Sequence, residues 1–321
     1  MTVPPKRTIG DSTFSAIGFG AMGLSSFYGQ VDSDEERFKV LDAAHAAGCT
    51  FWDTADMYGD SEDLIGKWFK RTGKRGEIFL ATKFGFRPDL SIDGSPAYVR
   101  PAVESSLKRI GVDSIDLLYL HRADPKYTVA AMAEFVKSGQ VKHLGLSEVS
   151  SATLRRAHTV HPIAALQVEY SPFTLLDIED PQLGLLATAR ELGVKIVAYS
   201  PLGRGLLTAV YKSPDDFAAD DFRRLVPRYS AVNFPNILKL AAGLNSIGTK
   251  YEIDGAPATG GQVALAWYLH ENLAASNLNL SAEDLAAVRV VAEKADTANG
   301  ERNPVVLGEQ MFVETPALTS E

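Results

Sequence analysis

Apolar positions along this chain switch repeatedly between a period of two and a period near 3.6, and that switching predicts the fold. Lys6–Ile9 and residues 13–17 flank Gly10-Asp11-Ser12 and read as a β-hairpin ahead of the main body. Residues 15–24 are apolar and glycine-rich and close in Gly20-Ala21-Met22-Gly23. A helical spacing follows in Phe38, Leu41, Ala44 and His45, opened by Asp32-Ser33-Asp34 and ended by Gly48. From there strands are predicted over 51–53, 78–83, 116–121, 141–147, 163–170 and 194–200. Between them helices are predicted over 61–69, 95–109, 128–138, 151–159 and 181–192. Further helices are expected over 236–250, over 262–270 and from about 281.

Strand and helix alternate with no shift in composition that would mark a linker, so the expectation is one α/β domain spanning residues 1–321. The pattern implies parallel strands joined by right-handed crossovers. Open doubly wound sheets and closed barrels both satisfy it. Short, evenly spaced strands favour the barrel, as does the lack of a G-x-G-x-x-G joining a first strand to a helix. The strand ends decide. Counting in twos from the end of each run gives an inward set that closes in Asp53, Lys83, His121, Ser147, Gln167 and Tyr199. One inward step below lie Phe51, Ala81, Tyr119, Gly145, Ala165 and Val197. Six strands turn polar at the same end, where (β/α)8 TIM barrels build their active sites. A TIM barrel with an N-terminal β-hairpin is therefore expected.

Composition narrows the class. The 321 residues are 45% hydrophobic and 22% charged, the balance of a globular protein with a substantial core. A net charge of -8 and no basic run interleaved with aromatics argue against nucleic acid or an anionic membrane as partner. The single cysteine, Cys49, excludes an internal disulfide and a thiolate metal site, and no metal is expected. Neither a signal-peptide core near Met1–Gly10 nor a membrane-length apolar run is apparent, so a cytoplasmic enzyme is expected.

Singly, the polar residues at the strand ends have ordinary uses. Asp53 can cap a loop, Lys83 can reach solvent, His121 can be a bonded core histidine and Tyr58 can fill a turn beside Gly59. Jointly they converge on one volume and offer proton transfer. A free tyrosine, with a pKa of about 10, exchanges its proton reluctantly near neutrality. An ammonium beside it stabilises the phenolate, and a carboxylate behind the lysine fixes that charge in place. His121 can then bond the substrate oxygen. This machinery suits protonation of a carbonyl oxygen while hydride reaches its carbon. At the later strand ends, Ser147 and Gln167 can hold an amide and Tyr199 can stack on a planar ring. Ser200-Pro201-Leu202-Gly203-Arg204-Gly205 offers N–H groups and an arginine to phosphate oxygens. A Schiff base at Lys83 is the competing chemistry, disfavoured by a carboxylate that keeps the lysine charged.

Four motifs, Phe-Trp-Asp-Thr-Ala-Asp-Met-Tyr, Ala-Thr-Lys-Phe-Gly, Asp-Leu-Leu-Tyr-Leu-His-Arg and Ala-Tyr-Ser-Pro-Leu-Gly-Arg-Gly, resemble those of the aldo-keto reductases, NAD(P)H-dependent enzymes on the (β/α)8 barrel. The resemblance runs from about Arg7 to beyond Leu280. Within the family the run 155–162 and Val168-Glu169-Tyr170-Ser171 resemble the perakine reductase and fungal pyridoxal reductase branch. It implies NADPH-dependent reduction of aldehydes or ketones, with NADH also open, and a catalytic tetrad of Asp53, Tyr58, Lys83 and His121, with Tyr58 as general acid. It also implies cofactor contacts at Ala21, Met22, Asp53, Ser147, Gln167, Tyr199, Ser200, Pro201, Leu202, Gly203 and Arg204, with Glu271 and Asn272 on the adenine. Some proteins of this fold instead bind NADP(H) as regulatory subunits with little turnover. Phe27, Tyr28, Phe84, Phe86 and Phe173 are candidates for an apolar mouth. The partner implied is a small carbonyl compound; oligomeric state has no signal.

The chain departs from the family in three places. Glu148 follows Ser147 where most members carry Asn. His270 runs straight into Glu271-Asn272-Leu273, where the family carries an eighth strand and a Pro-Gly-Thr-Lys-like loop that clamps the cofactor's adenosine phosphate. Pro125-Lys126 runs straight into Tyr127-Thr128, where relatives carry several more residues. The expectation is a natural chain that carries both segments, checked by intact mass against 34.7 kDa.

Overall fold

The computed structural model describes residues 5–124, 129–253, 255–273, 278–295, 300–304 and 308–315, with the backbone alone over 268–273. Strands β1 (Lys6–Ile9) and β2 (Ser12–Ser15) pair antiparallel across Gly10, whose φ of 56° suits a residue without a Cβ. The apolar side of this hairpin is set by Phe14, whose ring lies 5.1 Å from Phe51 and 4.3 Å from Phe79. Those two rings open β4 (Phe51–Asp53) and β5 (Phe79–Phe84), so the hairpin covers the amino-terminal ends of these strands.

β3 (Gly18–Gly20), β4, β5, β6 (Ile115–Leu120), β7 (Val141–Ser147), β8 (Ile163–Glu169) and β9 (Lys195–Tyr199) form one seven-stranded sheet in chain order. Every pair from β3 to β8 is parallel. An unbroken chain order is the barrel's topology; a doubly wound sheet reverses direction at a switch point. β3 stops at Gly20, short of the expected end near Leu24, because α1 (Met22–Ser25) begins directly afterwards.

The connections are α2 (Asp34–Ala46), α3 (Ser61–Thr72), α4 (Pro96–Ile110), α5 (Ala130–Lys137), α6 (Ser151–Val160), α7 (Leu175–Ile178) and α8 (Leu185–Glu191). Ser33 caps α2 by accepting from Glu36 N, while α3 and α4 end at Gly73 and Gly111 in the left-handed region.

Alternation along β4 separates two environments. Asp53 and Phe51 share the inner face, and Trp52 points the other way into an apolar cluster with Leu41, Leu64, Ile65, Trp68 and Leu80. The Trp52 and Trp68 rings meet at 4.6 Å, tilted by 54°, and Trp68 donates to Asp42 Oδ1 at 2.8 Å, so both the ring and its N–H are used. The neighbouring contact between α3 and α4 depends on Gly66. A Cβ there would stand 2.5 Å from Ile110 O and 2.8 Å from Arg109 O, backbone atoms that cannot swing aside. Gly66→Ala is therefore expected to cost about 1–3 kcal/mol by forcing the helices apart, read as a lower urea midpoint. An unchanged midpoint would mean the contact is not close-packed.

The fold resolves into two compact units: Met1–Gln167 with Ala187–Ile196 and Gln310–Glu321, and Val168–Leu186 with Val197–Glu309. In the first, the late segment returns to the β7–α6 corner: Phe312 N donates to Glu148 O at 2.7 Å and Thr153 Oγ1 to Val313 O at 2.9 Å. The second is built on α7, α9 (Phe234–Gly248), α10 (Gly260–Leu273) and α11 (Ala282–Ala295), tied by Arg289 to Glu179 at 2.6 Å and Arg228 to Asp177 at 2.7 Å.

No eighth strand joins the sheet among the described residues; besides the β1–β2 hairpin there is the short β10–β11 ribbon, Glu252–Ile253 with Ala256–Pro257. Where that strand is due, α10 continues unbroken through Glu271 and Asn272 to Leu273, beyond the expected helix end at His270. The short junction at 125–128 lies outside the described residues.

Candidate active site

The first unit brings the expected tetrad together. Asp53 ends β4, Lys83 is the next-to-last residue of β5, and His121 follows β6 directly. Tyr58 comes from the loop before α3, which is pinned to the sheet by Asp56 N donating to Lys83 O at 2.9 Å. Gly59 turns that loop back at a φ of 56°, and a Cβ there would lie 2.7 Å from Ser25 O. Any other residue at 59 would displace the tyrosine.

Lys83 is fully buried and its ammonium donates to Asp53 Oδ1, to Thr54 O at 2.8 Å and to the Tyr58 hydroxyl at 3.4 Å. Burial works against the charge, but the Asp53 carboxylate and the Tyr58 oxygen outweigh it and hold Lys83 above the ordinary lysine value. The ammonium is thus permanent at neutral pH, which removes the condition for a Schiff base there. The His121 ring stands 5.8 Å from the Tyr58 ring, edge to face. Burial, then the Arg122 and Lys83 charges, push its pKa well below the histidine norm, so the imidazole is neutral. Its Nδ1 has no hydrogen-bond partner.

Of the aromatic residues expected at the mouth, Phe27 meets Tyr58 at 6.2 Å and Phe86 meets His121 at 5.0 Å. Phe84 is sealed in β5, and Tyr28 is exposed beside Gly23. Phe173 belongs to the second unit, against Tyr229.

The candidate cofactor residues divide between the units. In the first, Ala21 N donates to Asp53 O at 2.8 Å and Met22 opens α1 beside it. Gln167 donates to Asp53 Oδ2 at 2.8 Å, a second anchor for that carboxylate, which leaves its Oε1 as the group for an amide N–H. Ser147 Oγ accepts from Arg122 at 3.3 Å and keeps its own proton to donate. Glu148 is fully buried with φ 53°, a conformation that asparagine tolerates better than glutamate.

In the second unit, Tyr199 ends β9 and its O accepts from Tyr170 N at 3.4 Å. Ser200, Gly203 and Arg204 all lie in the left-handed region, with Pro201 and Leu202 between them, so the loop is a tight coil. The Arg204 guanidinium is occupied by Arg302 O at 3.0 Å and Asn303 Oδ1 at 2.9 Å, with Glu169 at 3.4 Å. That engagement ties the coil to residues 302 and 303 and to Glu169. Glu271 and Asn272 lie near the end of α10.

Asp56 had no assigned task in the sequence. Its Oδ1 is buried without a partner, and burial together with the nearby Glu62 carboxylate raises its pKa to about 7, against the opposing pull of Arg109 and Lys83. A raised carboxyl means the folded state binds its proton more tightly than the unfolded chain. Its stabilising effect is therefore complete below about pH 4 and lost as pH rises through about 7. Asp56→Asn is expected to be more stable than wild type at about pH 8 by on the order of 2 kcal/mol, discounted for solvent screening, and to show a smaller change from about pH 5. Equal urea midpoints for the two proteins at the higher pH would remove the buried charge from the account.

An open cavity of about 750 Å³ lies away from this site, near the amino ends of β5, β6 and β7, lined among others by Lys67, Lys70, Arg75, Arg109 and Lys142. Most of its cations are already paired: Arg75 and Lys142 with Asp116, Arg109 with Glu62 and Lys67 with Asp34. Among the described residues no group of His, Cys, Asp and Glu could hold a metal ion.

Parallel strands in chain order, with a charged lysine held between a carboxylate and a phenol at their carboxyl ends, define a barrel protein with a polar cluster at that end. The chain belongs to the aldo/keto reductase family of oxidoreductases, whose family profile matches residues 16–293. It is 57% identical to the aldo-keto reductase str7 of Strobilurus tenacellus and 43% identical to the aldo-keto reductase yakc [NADP(+)] of Schizosaccharomyces pombe, with 98% of this chain and 98% of each relative covered. Both alignments exceed the chain's own length, at 341 and 343 positions, so both relatives carry internal residues that this chain lacks. A glycerol dehydrogenase from Gluconobacter oxydans shares the fold, with a TM-score of 0.78 at 23% identity over 91% of this chain and 96% of that one. A thermostable aldo-keto reductase, Tm1743, aligns with a TM-score of 0.64 at 26% identity over 89% and 99%.

Proposed function

We propose that this chain reduces aldehydes and ketones to alcohols with NADPH, Tyr58 acting as the general acid. The observation that carries the reading is the permanently charged Lys83 held between Asp53 and the Tyr58 hydroxyl. NADPH, once bound, would supply the hydride for the carbonyl carbon. Tyr58 gives its phenolic proton to the carbonyl oxygen, and the Lys83 ammonium stabilises the phenolate left behind. His121, neutral, donates a hydrogen bond to the same oxygen and orients it. Gln167 Oε1 and the Ser147 hydroxyl are the groups for the nicotinamide carboxamide, and Tyr199 for the ring face. Ala21, Met22, the coil from Ser200 to Arg204, and Glu271 and Asn272 complete the proposed cofactor contacts. NADP(H) rather than NAD(H) is supported by the NADP(+) in the yakc relative's name.

The implied partner is a small carbonyl compound. A cytoplasmic location is part of the proposal; among the described residues no helix is long and apolar enough to cross a membrane. The test is a panel of aldehydes and ketones followed by oxidation of NADPH and of NADH. Turnover with several aldehydes and a preference for NADPH are expected, and none with either cofactor would overturn the reading.

One observation favours a second reading, an NADP(H)-binding subunit with little turnover: α10 continues where the family's eighth strand and phosphate clamp are due. An intact mass equal to 34.7 kDa together with negligible turnover across the carbonyl panel would favour it. A larger natural chain that turns over several aldehydes with NADPH would exclude it.

A further inference from the structure

Arg122 stands beside the catalytic groups and has no task in the chemistry above. It is one of five buried arginines, with 8% of its surface exposed. The other four, Arg37, Arg223, Arg228 and Arg302, each have a carboxylate within ion-pair distance. Arg122 has none among the described residues. Its Nη1 donates to His121 O at 2.7 Å and to Ser147 Oγ at 3.3 Å, and its guanidinium stands 5.8 Å from the Phe86 ring, which in turn meets His121. Its Nε is buried with no partner, and its Nη2 makes no hydrogen bond to a described residue.

The unpaired atoms are not scattered. Nε–H and Nη2–H lie along one edge of the guanidinium and point the same way, the fork that takes a carboxylate by two parallel hydrogen bonds. A buried cation without a counter-ion, and a buried donor without an acceptor, are each costly. Nη1 is held on His121 O and on Ser147 Oγ, which anchors the guanidinium beside these two residues. Arg75, by contrast, divides its donors among Ile78 O, Ser114 O and Asp116 and has no free edge.

We infer that Arg122 is a substrate-binding residue whose Nε–Nη2 edge receives a carboxylate, so that the preferred substrates are aldehydes or ketones that also carry a carboxylate group. This rests on the carbonyl-reductase reading and deepens it. The anion supplies the counter-charge the guanidinium lacks and anchors the substrate beside His121 and Tyr58, so its effect falls mainly on KM.

The experiment compares 2-, 3- and 4-carboxybenzaldehyde with the corresponding carbamoylbenzaldehydes, neutral isosteres of nearly the same shape, in the wild type, Arg122→Met and Arg122→Lys. At least one carboxylated isomer is expected to exceed its neutral partner by about tenfold or more in kcat/KM, through KM. Arg122→Met should bring that ratio to near one, and Arg122→Lys should keep part of it. A wild-type ratio near one for all three isomers overturns the inference, as does a preference that survives in Arg122→Met. A loss in Arg122→Met that appears equally for every substrate, as weaker NADPH binding, overturns it by assigning Arg122 to the cofactor. Should both variants fail to fold, wild-type inhibition decides. Benzoate is expected to compete with aldehyde at about tenfold lower concentration than benzamide, and equal potency overturns the inference. No turnover of any aldehyde, neutral or charged, is the distinct result that overturns the functional reading and this inference with it.

Discussion

Tyr58→Phe is expected to reduce aldehydes at least about a hundredfold more slowly than the wild type while binding NADPH nearly as well. The substitution removes one oxygen and keeps the ring, so the edge contacts with Phe27 and His121 persist. What disappears is the proton that must reach the carbonyl oxygen as hydride arrives. The remaining groups do not replace it. Lys83 is held as an ammonium by Asp53, and His121 is neutral and kept so by burial and by two neighbouring cations. Because the loss belongs to the transition state, it should appear in kcat with little change in the NADPH dissociation constant. Single-turnover kinetics and fluorescence titration of NADPH separate the two. A variant with near wild-type turnover would take Tyr58 out of the mechanism.

How much of this was legible in the sequence depends on the range of the interactions. The strands that place Asp53, Lys83, His121 and Ser147 at or beside their carboxyl ends are specified by local alternation, so their inward residues could be named in advance. Local chemistry also misleads. Residues 181–192 read as one helix, but Asp180 Oδ1 accepts from Gln182 N at 2.8 Å and Gly184 takes φ 55°, so a turn comes first and α8 begins at Leu185. Residues 18–24 hold too many small residues to show a period, and the end of β3 at Gly20 is set by Ala21 N on Asp53 O.

The residues that escaped notice have no local signature. Arg122 is one position past the inward histidine and reads as an outward arginine until its neighbours are known. Asp56 looks like a loop carboxylate, and only the fold brings it close to Glu62. Phe312 and Val313 reach Glu148 and Val149 across more than half of the chain.

Lys83→Met is expected to damage the protein at least as badly as Tyr58→Phe, and in two separable ways. Methionine fills most of the lysine's volume, so the substitution removes charge rather than packing. The first loss is catalytic: without the ammonium at 3.4 Å, the phenolate formed by proton donation has no counter-charge, and turnover should fall by on the order of a hundredfold or more. The second is stability. Asp53, with 17% of its side chain exposed, would keep only Gln167 as a partner and would lose the cation that compensates it. Leaving a largely buried carboxylate unpaired costs on the order of 3 kcal/mol, although Gln167 and the exposed part of Asp53 moderate it. The two losses respond differently to a second substitution. Lys83→Met with Asp53→Asn should regain much of the stability and none of the activity, because the unpaired carboxylate is gone while the ammonium is still missing. The pH dependence gives an independent check. Lys83 has a raised value in the folded protein, so its contribution is complete below the ordinary lysine value of about 10.4 and is lost only as pH climbs through the folded one. Wild type should therefore lose stability relative to Lys83→Met in the alkaline range alone. If Lys83→Met reduced aldehydes normally, or if the double variant recovered turnover, the ammonium would not be what makes Tyr58 an acid.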